Sequence, residues 1–119
     1  MARVIHFELP VDDAARARAF YSQAFGWEVQ NPDDDEGYWL VTTGTGEPGI
    51  DGAFIARQHA PQLVNIIGVD SLDDSLDKAK AAGAELVRDK EVIPGVGTAA
   101  YIKDPEGNTV GLFEPASGS

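Results

Sequence analysis

Residues 11–29 read VDDAARARAFYSQAFGWEV, and residues 69–86 read VDSLDDSLDKAKAAGAEL. Both stretches open on valine-aspartate, run into an amphipathic segment, stop at a glycine (Gly26, Gly83) and resume as strand-like sequence, Trp27–Gln30 and Ala84–Val87. Asp12 and Asp13 are helix-opening residues because a short carboxylate satisfies the free N–H groups of a first turn. Glycine closes a helix because it enters the left-handed region without a Cβ clash. In the first helix the spacing of Ala17, Phe20, Tyr21, Ala24 and Phe25 predicts a buried stripe. Leu72, Leu76 and Ala79 do the same in the second. The two echoes lie 57 to 58 residues apart in a chain of 119.

Working outward, Arg3–Leu9 is a strand with His6 and Glu8 on the face shared with Val4, and Pro10 is expected to end it. Tyr38–Thr43 and Ile50–Ala56 complete the first half. Leu63–Val69, Thr98–Lys103 and Thr109–Glu114 supply the matching strands of the second, with Asp104-Pro105-Glu106-Gly107-Asn108 as a turn. Asn31–Gly37, with aspartates at 33–35, reads as a solvated turn, and Pro115–Ser119 as a fraying tail. Each half is therefore β-α-β-β-β, about 1–57 and 62–115, joined around Gln58–Pro61. A half of this size cannot bury one face of its sheet alone, so the two are expected to form a single domain over 1–119.

Twenty acidic residues against nine basic ones give a formal charge of −11. Such a chain is repelled by phosphate backbones and anionic lipid, so neither nucleic acid nor membrane is expected as a partner. The absence of cysteine removes disulfides, thiolate metal sites and cysteine nucleophiles. Without a long apolar segment, the expectation is a soluble, cytoplasmic protein. Other motifs fail: the glycines at 44, 46 and 49 have no following lysine, and the serines at 22, 71 and 75 lack a nucleophile-elbow context.

The stretches VIHFELPVDDAARARAFYSQAFGWEV (residues 4–29) and AYIKDPEGNTVGLFE (residues 100–114) resemble the vicinal oxygen chelate superfamily, the glyoxalase / bleomycin resistance / dioxygenase group. The resemblance spans essentially the whole chain. It implies an α+β fold of tandem βαβββ modules whose curved mixed sheet encloses a cleft, often holding a divalent metal on histidine and glutamate side chains. Of the four ligand positions the resemblance implies, His6 occupies the first. Val64, Gly111 and Gly52 occupy the others, and none of these three has a coordinating side chain. Asp51 and Glu114 are each one residue from a required position, which in a strand points to the opposite face. The expectation is no metal and no cofactor.

The Tyr-Ile-x-Asp-Pro segment resembles fosfomycin-resistance members, which implies that Tyr101 faces the pocket and that Trp39 lies near the ligand. Phe54 and Phe113 follow Gly52 and Gly111 by two and should face the cleft with them, although aromatic residues on strands commonly form core. Glycines at the former ligand positions should open apolar volume. The expected binding set is His6, Glu8, Trp39, Gly52, Phe54, Val64, Tyr101, Gly111 and Phe113, around an aromatic or polycyclic organic ligand. The ligand count favours a sequestering, resistance-type binding protein over an enzyme. The alternative is a glyoxalase-type lyase, isomerase or dioxygenase, with an atypical metal site or with His6 and Glu8 as a metal-free proton-transfer pair. An interaction module would instead fill the cleft with Trp39, Tyr101 and Phe113. His59 reads as a surface residue, and exposed sheet edges predict a homodimer.

Overall fold

The computed structural model describes residues 2–31 and 36–117; the aspartate turn at 33–35 and the end of the tail lie outside them. The elements follow the order β1 (Arg3–Val11), α1 (Ala14–Phe25), β2 (Glu28–Val29), β3 (Tyr38–Thr42), β4 (Asp51–Ala56), β5 (Val64–Gly68), α2 (Leu72–Ala81), β6 (Glu85–Ile93), β7 (Gly97–Lys103) and β8 (Thr109–Pro115). This is the doubled β-α-β-β-β of an α+β protein. Two compact units result. The N-terminal unit is His6–Val64; the C-terminal unit is Asn65–Ser119 together with Met1–Ile5.

The N-terminal unit orders its strands β2-β3-β4-β1, with β1 parallel to β4 and the other pairs antiparallel. Asp13 caps α1 by accepting from the Arg16 N–H at 3.0 Å, and Gly26 closes it at φ 76°. Leu9, Val11, Trp39, Val41 and Phe54 pack with Ala14, Ala17 and Tyr21 of α1. The expected helix stripe is only partly buried: Phe20 and Phe25 are 57% and 62% exposed. They form the outer members of an aromatic cluster with Tyr21 and Trp27, whose rings stack at 4.6 Å. Strand β1 also runs on past Pro10. Proline forfeits only its own ladder donor, and the strand carries on pairing through Pro10–Ile55 and Val11–Ala56.

The C-terminal unit orders its strands β5-β8-β7-β6, with β5 parallel to β8. Its core is Val69, Leu72, Leu76, Ala100, Ile102 and Leu112, so the predicted face of α2 is the buried one. Glu114 does not face the open side of its strand. Its Oε1 accepts from the Leu72 N–H at 2.7 Å at the start of α2, a carboxylate placed where the helix dipole favours it. In the Asp104–Asn108 turn one carboxylate oxygen accepts from the N–H groups of Glu106 and Asn108, both at 2.9 Å. Those bonds, that of Asn108 foremost, hold Asp104 below the usual carboxylate range. Strand β6 is longer than its sequence suggested, because the charged run Arg88–Glu91 continues it along the outside of the sheet.

Close packing over glycine gives a direct test. A Cβ on Gly52 would fall 2.5 to 2.6 Å from ring carbons of Phe7, whereas one on Gly44 would meet nothing within 4 Å. Gly52→Ala should cost about 1–3 kcal/mol in urea unfolding, and Gly44→Ala should stay within about 0.5 kcal/mol of the parent.

Candidate functional site

The register of the N-terminal unit sorts its side chains between two faces. Phe7 pairs with Gly52, Leu9 with Phe54, and Trp39 with Phe54; these residues turn toward α1. His6 pairs with Asp51, Glu8 with Ala53, Tyr38 with Ile55 and Leu40 with Ala53; these occupy the opposite, open face.

Three expectations are corrected by this sorting. Trp39 and Phe54, assigned to a ligand cleft, belong to the helix-side core; Phe54 is 0% exposed and Trp39 7%. The accessible edge of Trp39 borders a different groove, of about 410 Å³, shared with Asp12, Arg57 and His59, the last exposed as expected. Gly52 is likewise on the helix side, beneath the Phe7 ring, and opens no volume on the open face. Asp51, set aside for a one-residue offset, is the residue directly opposite His6. The offset was counted from Gly52, which never belonged to the His6 face.

The open face therefore gathers His6, Glu8, Tyr38 and Asp51. His6 Nε2 lies 3.0 Å from the Tyr38 hydroxyl. Burial pushes the imidazole below its ordinary value, outweighing the carboxylates of Glu8 and Asp51, which favour its charged form. Glu8 is 4% exposed, a carboxylate held in the interior beside the imidazole. Asp51 Oδ1 accepts from the Thr43 N–H at 2.9 Å and from its hydroxyl at 3.3 Å, which ties the Thr43–Ile50 connection to the site. Leu40, 48% exposed, gives this face an apolar neighbour. Tyr38 was overlooked because it adjoins the more conspicuous Trp39; alternation along β3 places the two on opposite faces.

In the C-terminal unit, Tyr101, Gly111 and Phe113 do share the face away from α2. Gly111 is not vacant space: a Cβ there would run into Ile66 Cδ1, and the Tyr101 ring lies alongside. The Arg88 guanidinium sits 5.6 Å from the centre of the Tyr101 ring. Val64 opens β5 and is buried.

The metal of the resembling group can be tested against these donors. His6 and Asp51 offer one imidazole and one carboxylate on a common face, while Val64 and Gly111 offer no side-chain donor. Among the described residues no three histidine, aspartate or glutamate side chains converge on an ion position. The residues do not fit a four-ligand divalent site.

Residues 3–44 match the bleomycin resistance protein-like N-terminal family. The chain is 28% identical to a Vibrio cholerae protein named "Probable lactoylglutathione lyase", over 94% of this chain and 90% of that one. Its fold is shared with a hypothetical protein from Bacillus halodurans (TM-score 0.72, 13% identity, 99% of this chain and 97% of that one). It is also shared with a glyoxalase/bleomycin resistance protein/dioxygenase superfamily member from Vibrio splendidus (TM-score 0.67, 16% identity, 96% and 99%). The chain is similar to members of the glyoxalase / bleomycin resistance / dioxygenase superfamily, and its fold is the glyoxalase / bleomycin resistance fold.

The His6 environment sets a pH dependence. With its folded value below 6.5, the unfolded chain binds more protons in the window between the two values. Stability therefore rises with pH across that window and is lost as pH falls below about 6.5. Histidine NMR signals should show His6 titrating below 6.5, and His6→Gln should flatten the stability slope between about pH 5 and 7.

Proposed function

We propose that this chain binds a small organic molecule on the open face of its N-terminal unit and transfers a proton on it without a metal, as a lyase or isomerase of the superfamily. The observation that carries the reading is the His6–Tyr38 contact at 3.0 Å on a face that also holds Glu8. Burial keeps the imidazole neutral and able to accept a proton. In the tautomer protonated at Nδ1, Nε2 is the acceptor and the Tyr38 hydroxyl its resting donor. A ligand bearing an acidic C–H beside a carbonyl would take the place of that hydroxyl at Nε2. Tyr38 is then placed to donate to the carbonyl oxygen as charge develops there. The Glu8 and Asp51 carboxylates stabilise the imidazolium that results, the direction in which both already act. The lyase name of the Vibrio cholerae relative supports the same class.

A binding-only, sequestering role uses the same face. It is favoured by the exposed apolar side chain of Leu40 next to the polar cluster, and the two readings separate in one measurement. With chelator-treated protein in deuterium oxide, hydroxyacetone should exchange its carbon-bound protons faster than in buffer alone. His6→Gln should slow that exchange about a hundredfold or more, with Tyr38→Phe retaining an intermediate rate. Binding of hydroxyacetone with no exchange would establish sequestration, and exchange abolished by the chelator would overturn the metal-free reading.

A further inference from the structure

Each unit carries the same groove, and the two are furnished differently. In a parallel pair a residue donates to the carbonyl before its partner and accepts from the N–H after it. The Arg57 N–H donates to the Val11 carbonyl at 3.0 Å and the Val69 N–H to the Phe113 carbonyl at 2.9 Å. Val11 therefore stands beside Ala56, and Val69 beside Glu114. The groove of about 410 Å³ in the N-terminal unit is lined by Val11, Asp12 and Ala56. One of about 580 Å³ in the C-terminal unit is lined by Val69, Asp70 and Glu114. The repeat thus sets Ala56 where Glu114 stands, Arg57 where Pro115 stands and His59 where Ser117 stands.

In the C-terminal unit the chain supplies its own carboxylate, because Glu114 Oε1 accepts from the Leu72 N–H at 2.7 Å. The residue equivalent to Leu72 is Ala14. Asp13 caps α1 through the Arg16 N–H as Ser71 caps α2 through the Asp74 N–H. Among the described residues no side chain accepts from the Ala14 N–H, and Ala56 is too short to reach it. The N-terminal groove keeps the donor and has a methyl group in place of the carboxylate.

What it has gained is basic. Arg57 Nε donates to Asp12 at 3.0 Å and an Arg57 Nη to the Pro10 carbonyl at 3.4 Å, which holds the guanidinium along the groove. The His59 ring lies over Gly37, where a Cβ would fall 3.1 Å from its Cδ2 and Nε2. The C-terminal groove keeps its carboxylate beside Asp70 with neither arginine nor histidine among its described lining residues. In the N-terminal groove the equivalent Asp12 is already paired with Arg57. Glu36, exposed on the lining, opposes an anion and holds the affinity to a modest value.

We propose that this groove binds a small organic carboxylate, held by the Ala14 N–H and the Arg57 guanidinium, with Val11 and the edge of Trp39 against its apolar body. The ligand does for α1 what Glu114 does for α2: it satisfies a first-turn N–H at the end of the helix where negative charge is favoured. Arg57 adds a charge-assisted bond that α2 lacks. The inference is independent of the chemistry at His6.

Titration of benzoate into the full ¹⁵N-labelled chain tests it, with benzamide as the uncharged control. Benzoate should saturate with a dissociation constant of about 1 mM or below and shift the Ala14 amide and Arg57 Nε–H signals; benzamide should not. Arg57→Gln should weaken binding about tenfold or more. Ala56→Glu should abolish it, because the chain then supplies the carboxylate as it does at Glu114, and should itself shift the Ala14 amide as benzoate does in the parent. Absence of saturation, equal binding of benzamide, or an Ala56→Glu chain that binds like the parent would each overturn the assignment. Shifts confined to His6 and Tyr38 would also overturn it by placing benzoate on the open face. If Ala56→Glu fails to fold, Arg57→Gln decides: unchanged affinity in that variant overturns the site.

Discussion

The ring of Phe7 lies over the Cα of Gly52, where no side chain could stand, and the parallel pairing of β1 with β4 is built around that approach. With Phe7 opposite Gly52, His6 is opposite Asp51 and Leu9 opposite Phe54. Every later division between core and open face in the N-terminal unit follows from this register, since successive side chains alternate. The C-terminal unit repeats the arrangement in β5 and β8, with Ile66 opposite and over Gly111. In one unit the covered glycine faces the helix, and in the other it faces away. The two halves thus share a topology while exposing different chemistry. One open face carries His6, Glu8, Tyr38 and Asp51; the other carries Tyr101, Phe113 and the Arg88 guanidinium.

The polar cluster of the N-terminal unit places opposing influences on one imidazole. Burial disfavours its charge, and two carboxylates favour it. A group in that position is neutral at rest and yet has stabilisation available once it takes a proton, which is the balance a general base requires. Structural side chains of the interior are satisfied in the same way, so the difference lies in accessibility. His6 is half-buried on a face that also exposes Leu40 and Tyr38, whereas Glu8 behind it is closed to solvent.

The doubled topology was legible because helix caps and stops are local signals: Asp13, Gly26 and the α2 stripe of Leu72, Leu76 and Ala79 behave as their positions imply. The site was only partly legible. His6 and Glu8 could be placed on one face from β1 alone, but Asp51 required the pairing of two strands separated by a helix and two further strands. A single miscounted residue moved Gly52 and Phe54 to the wrong side. Aromatic residues misled for a related reason. The resemblance implies Trp39 as a ligand contact and says nothing of Tyr38, yet the core took the larger, less polar ring. Strand β6 outruns the expected Ala84–Val87 because its charged run stands on an outer strand facing water, where hydrophobic pattern gives no signal.

The placement of the chromophores has a practical consequence. Both tryptophans, Trp27 stacked on Tyr21 and Trp39 in the core, lie in His6–Val64, and the segment Asn65–Ser119 contains none. Intrinsic tryptophan emission is therefore a one-sided optical probe. It follows the packing of the N-terminal unit and is blind to the C-terminal one, while far-ultraviolet dichroism sees the strands and helices of both. Overlaying the two signals through a denaturant titration measures the cooperativity between the repeats with no label and no substitution.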